Sequence, residues 1–248
     1  MARMLRSDVK SIKNEPQYKL VIATDELIGK ICKTKRIDVI AVREGSFEEV
    51  EEALKEHLRN NSGLKPGVVM QAGSTNIGLK YWGLNPGLIM NREVVIRRDI
   101  VSSLLEMMVN LQKQIRELGG FIVFASLVPK PNEQLINRND SKKSIKCKKV
   151  INEIFNVVNS EIWKLNQAEG FTTPNIKSYV QKTGSKERGK PTLITKRIKF
   201  QSPDKEIPRV QEQEKMMECC SRALEHATQV HADRSKTSVT VPVVKQLD

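Results

Sequence analysis

Aromatic side chains make up only 4% of this 248-residue chain. That scarcity excludes an extended base-stacking platform of the RNA-recognition-motif kind. Cysteine is scarce too, with Cys32, Cys147, Cys219 and Cys220 the only four. No pair has the CxxC spacing of a zinc or redox site, so neither a disulfide framework nor a metal centre is expected, and a reducing compartment is. No apolar run approaches the ~20 residues of a membrane span. Met1 to Asp8 lacks the apolar stretch of a signal peptide. Gly73, Gly78, Gly83 and Gly87 do not form a Walker or dinucleotide loop, so no cofactor is expected. The expected setting is intracellular, cytoplasmic or nuclear, without a membrane partner.

Acidic residues are in deficit. Asp and Glu number 29 against 42 Lys and Arg, a formal net charge of +13. An excess of this size attracts polyanions, through counterion release where the partner is nucleic acid.

What the chain does have is alternation. Residues 1–17 are polar and basic and read as a disordered tail or linker. Leu20-Val21-Ile22-Ala23 is a short apolar run suited to a strand buried on both faces. Ile37 to Val42 is a second strand. Ser46 and Glu49 form a capping box, followed by Phe47, Val50, Leu54 and Leu58 at helical spacing. Gly67 to Gln71 is a third strand. Asp99 is read as the start of a helix carrying Ile100, Leu104, Leu105, Met108, Leu111 and Ile115, closed by Gly119-Gly120. Phe121 to Ala125 is a fourth strand. Ile145 to Leu165 mark a long helix, and Phe171 to Ile176 a candidate fifth strand. Residues 182–205 read as a basic loop, and Met216 to Ala227 as a final amphipathic helix. A disordered tail is expected from 232. The alternation predicts one α/β domain over 18–231, with a parallel sheet, flavodoxin-like order and the strand from Tyr18 in the centre.

Four strand ends carry polar corners: Val21-Ile22-Ala23-Thr24-Asp25, Arg43-Glu44-Gly45-Ser46, Gly73-Ser74-Thr75-Asn76 and Ala125-Ser126. Their order and spacing resemble the SGNH, or GDSL, hydrolase superfamily over about residues 18 to 225. The resemblance implies a flavodoxin-like three-layer sandwich with its site at the carboxyl ends of the strands. It also implies a nucleophilic Ser after strand one, a Gly and an Asn for the oxyanion, and a late Asp-x-x-His. Here Asp25 stands at the nucleophile position. Gly45 is retained, and Asn76 keeps the oxyanion amide with one residue of slippage. Asp204 matches the acid, but Ile207 occupies the His position. The three histidines, His57, His226 and His231, fall elsewhere. A hydroxyl without a base is a poor nucleophile. Two degenerate branches of the family share this design: the C-terminal domain of the germ-plasm protein Oskar, which lacks the triad and binds RNA, and the esterase-like modules of some retroelements.

The positive charge is clustered. Lys30, Lys33, Lys35, Arg36 and Arg43 surround the second strand. Lys142, Lys143, Lys146, Lys148 and Lys149 begin the long helix. Lys182, Lys186, Arg188, Lys190, Lys196, Arg197 and Lys199 fill the late loop. For any one cluster a solvated surface is the simpler explanation. Three on one domain favour contact with a phosphate backbone. The expectation is a catalytically degenerate SGNH-like pseudoenzyme that binds RNA. The alternatives are an active esterase or acylhydrolase with an atypical site, and a protein-interaction scaffold whose basic surface is incidental.

Overall fold

A computed structural model describes residues 18–25, 36–42, 45–77, 93–128, 141–180, 200–202, 205–208 and 210–237. Strands β1 (Tyr18–Thr24), β2 (Ile37–Ala41), β3 (Lys65–Gln71) and β4 (Phe121–Phe124) form one sheet in the order β2-β1-β3-β4. Every pairing in it is parallel, and β1 lies between β2 and β3 as its apolar run predicts.

Alternation along each strand divides the core in two. Val21, Ala23, Val68, Met70, Ile122 and Phe124 face helices α1 (Phe47–Asn60), α2 (Glu93–Glu117) and α3 (Ser141–Ala168). Ile22, Val69, Phe121 and Val123 face the other way, onto Met216, Met217, Cys220, Leu224 and Ala227 of the final helix. Helices therefore cover both faces of the sheet. The short α4 (Lys177–Val180) and the final helix α5 (Val210–Thr237) follow.

Several boundaries differ from the expectation. α2 begins at Glu93, six residues before Asp99. The sequence after Gly87 contains no helix breaker, so Asp99 has no terminus to cap. α5 runs to Thr237, past the tail boundary expected after 231. Phe200–Ser202 and Lys205–Pro208 form an antiparallel pair, β5 and β6, where a loop was expected up to 205.

The fifth strand does not form. Residues 171–175 touch β4's edge through one backbone bond, Ser126 N to Pro174 O at 3.0 Å. Two asparagines of α3 take over the rest of that edge. Asn166 accepts from Phe124 N at 3.0 Å and donates to Phe124 O at 2.7 Å. Two turns earlier, Asn159 does the same to Leu127, at 2.6 and 2.9 Å. Each side-chain amide mimics a peptide unit of a neighbouring strand, so Phe124 at the end of β4 and Leu127 just past it are satisfied without one.

Candidate functional site

The ends of β1, β3 and β4 meet at the carboxyl edge of the sheet. Thr24 and Gln71 are register partners, and the Thr24 hydroxyl donates to Gln71 Oε1 at 2.7 Å. Asp25 N donates to Gln71 O at 3.0 Å, and Ala125 N to Met70 O at 2.8 Å. Asp25, Gln71 and Ser74 are each at most 1% exposed. Among the described residues, Gln71 Nε2 and Ser74 Oγ have no hydrogen-bond partner. Buried polar atoms of this kind carry a desolvation cost, and they concentrate where a structure has work other than stability to do.

Gly73 shapes this corner. Its φ of +116° is poorly accessible to other residues, and a Cβ there would lie 3.2 Å from Leu104 and 3.3 Å from Leu127. The turn it permits leads into helical residues 74–77, where Ile77 is buried in the core. Gly45 allows close packing: a Cβ there would meet Val42 at 2.8 Å.

Asn76 joins the third corner to the second. Its Oδ1 accepts from Phe47 N at 2.7 Å, and its Nδ2 donates to Glu48 Oε2 at 2.7 Å. The amide expected to face an oxyanion therefore has a hydrogen on Glu48 and helps cap α1. Ser46 and Glu49 complete the cap as the sequence predicts, with Ser46 Oγ accepting from Glu49 N at 3.3 Å and Ser46 N donating to Glu49 Oε2 at 2.7 Å.

All three histidines lie away from this corner. His57 Nε2 is 2.9 Å from Asp38 Oδ2, and Asp38 also pairs with Lys19 at 2.7 Å, near the amino ends of β1 and β2. Lys19 first, and His57 with it, holds the Asp38 carboxyl below its ordinary range. His226 neighbours Thr172, just past the end of α3. His231 Nδ1 is 2.7 Å from the hydroxyl of Tyr18, the first residue of β1.

The basic clusters are placed unequally. Lys142, Lys143, Lys146, Lys148 and Lys149 all fall within α3. Arg36 is exposed at the turn before β2, hence at the amino edge. Lys30, Lys33, Lys35, Arg43, Lys182, Lys186, Arg188, Lys190, Lys196, Arg197, Lys199 and Asp204 lie outside the described residues. Position 207 falls in β6.

Two helices reach beyond the corner. Asn159 is level with Leu127, just past β4, so the 18 residues back to Ser141 extend α3 by ~27 Å at ~1.5 Å per residue. Leu104 packs beside Gly73, and the 11 residues back to Glu93 extend α2 by ~16 Å on the same rise. Both helices point their amino ends, the positive ends of their dipoles, away from the sheet on this side. Exposed Arg98 and the lysine run of α3 lie on these extensions.

Among the described residues no group of His, Cys, Asp and Glu is arranged to hold a metal ion, and no helix is long and apolar enough to cross a membrane. No family model, curated protein or solved structure matches the chain.

Proposed function

We propose that this chain is an SGNH-like α/β domain that has lost hydrolytic chemistry and binds RNA through its phosphate backbone. The observation that carries the reading is α3. It is one continuous helix from Ser141 to Ala168, and its lysine run sits on the part extending past the carboxyl edge. Lys142, Lys146 and Lys149 are spaced i, i+4 and i+7, which is one stripe of a 3.6-residue helix. Arg98 on α2 and two helix amino ends add positive potential on the same side.

The degenerate corner supports the other half of the reading. The strand order β2-β1-β3-β4 suits a flavodoxin-like design, whose ligands meet the carboxyl edge. Asp25 is buried at the nucleophile position, and no imidazole is near it. Ser74, a buried hydroxyl without a partner among the described residues, is what favours a hydrolase instead. It has no histidine within reach to take its proton.

Fluorescence anisotropy with a single-stranded RNA tests the proposal. Binding is expected at low salt, falling with a log–log slope of about −0.7 per phosphate neutralised. Replacing Lys142, Lys143, Lys146, Lys148 and Lys149 together by Gln should weaken binding to every sequence and flatten that slope. Unchanged affinity and slope in this variant would overturn the use of α3.

A further inference from the structure

We propose that the amino-terminal pole of the sheet, opposite the corner, carries a binding site for a phosphomonoester. A cavity of about 360 Å³ opens there between the ends of α2, α3 and α5 and the first residues of β3 and β4. Pockets of this size hold small organic ligands. It is independent of the RNA reading, and none of its lining residues belongs to the basic clusters seen in the sequence.

The cavity's charge is what selects the ligand. Lys65, Arg116 and Arg234 line it, and Glu169 is the one carboxylate among its lining residues. The formal balance is three positive against one negative, or +2, which matches a phosphomonoester dianion better than a carboxylate. Glu169 bridges the two arginines: Arg116 Nη2 pairs with Oε1, and Arg234 Nη1 lies 3.3 Å from Oε2. This bridge draws both guanidinium groups to one side of the cavity. Among the described residues Arg116 donates through one nitrogen, which leaves the rest of its five-donor fork for a second anion.

His231 adds a neutral imidazole. Burial first, and then Lys65 and Arg234, hold its pKa below the ordinary imidazole range. Burial also keeps the Tyr18 phenol protonated. In the tautomer in which the phenol donates to Nδ1, neutral His231 carries its proton on Nε2. Gln112 supplies an amide, and Phe121 and Phe171, rings 5.7 Å apart, form an apolar wall. A phosphate on a compact apolar or planar stem fits this division into a basic rim and an apolar wall.

A phosphomonoester can come from a small metabolite or from the 5′ end of a nucleic acid. The probes are phenyl phosphate, benzoate, and a trinucleotide with either a 5′-phosphate or a 5′-hydroxyl, followed through the His231 imidazole resonances. Phenyl phosphate or the 5′-phosphorylated trinucleotide should shift them saturably, and whichever binds more tightly identifies the source. Arg116→Gln should weaken binding ~10-fold, the loss expected for one charge-assisted hydrogen bond. Lys65→Gln, at an exposed position, should weaken it in the same direction and keeps the test open if Arg116→Gln fails to fold. The five-lysine variant of α3 should bind phenyl phosphate as the parent does. No saturable shift with either phosphate probe would overturn the proposal. So would benzoate binding as tightly as phenyl phosphate, or parental affinity in both pocket variants.

Discussion

Individual side chains in this molecule are often matched to backbone rather than to each other. Asn159 and Asn166 occupy β4's open edge, and Asn76 caps α1 from another segment. None of the three was legible as such in the sequence. An asparagine on an amphipathic helix reads as a surface residue, and only the level at which α3 crosses β4 turns it inward. Asp25, by contrast, stands out in the sequence as the first charged residue after the first apolar run, and the fold buries it there. His231 offers a test at this scale. Its environment holds Tyr18 from β1, Lys65 from β3, Phe121 from β4 and Arg234 from its own helix, with Arg116 and Glu169 in the same cavity. The fold lowers its pKa, so between the native value and the unfolded value of ~6.5 the unfolded chain binds more protons. Its contribution is therefore complete above ~6.5 and is lost as pH falls through the native pKa. Urea midpoints at pH 7.5 and 5.5 should drop further for the parent than for His231→Asn. Equal drops would show that this imidazole is not under native strain.

At the scale of elements, the sequence located every strand of the parallel sheet to within two or three residues, because buried parallel strands are continuous apolar runs. It misplaced ends governed by non-local contacts. The α2 start depended on a cap that was not needed, and the fifth strand failed because α3 had already satisfied its neighbour's edge. α1 is the opposite case. Its start was legible because the capping box is local, three residues apart. Ser46 Oγ covers the Glu49 amide and Asn76 Oδ1 the Phe47 amide, so two of the orphan donors of the first turn are satisfied from different segments. Ser46→Ala should lower the unfolding free energy by ~1 kcal/mol, and Ser46→Asp by much less, since either oxygen caps. Denaturant titrations should show a shifted midpoint at constant slope. If Ser46→Ala costs nothing, the Asn76 contact alone fixes the start of α1.

At the scale of the whole molecule, the two edges of the sheet have separate chemistry. The carboxyl edge combines buried polar atoms with two projecting helices, one of them lysine-rich. The amino edge holds His57, His231 and the cavity with its paired arginines. Ester hydrolysis requires a nucleophile, a base within hydrogen-bond reach and an oxyanion donor together. Here the buried hydroxyl of Ser74 is at the carboxyl edge, His57 and His231 are at the amino edge, His226 sits beside Thr172, and the Asn76 amide is turned to Glu48. Binding energy cannot substitute for this separation, because a triad lacking its base loses most of its rate. Short acyl esters should therefore be hydrolysed no faster than in a buffer blank, and Ser74→Ala and Asp25→Ala should leave that rate unchanged. The two variants matter more than the parent measurement, since exposed imidazoles give a slow background with activated esters. Turnover that disappears in Ser74→Ala would mean that a base outside the described residues completes the corner, and the domain would then be an enzyme.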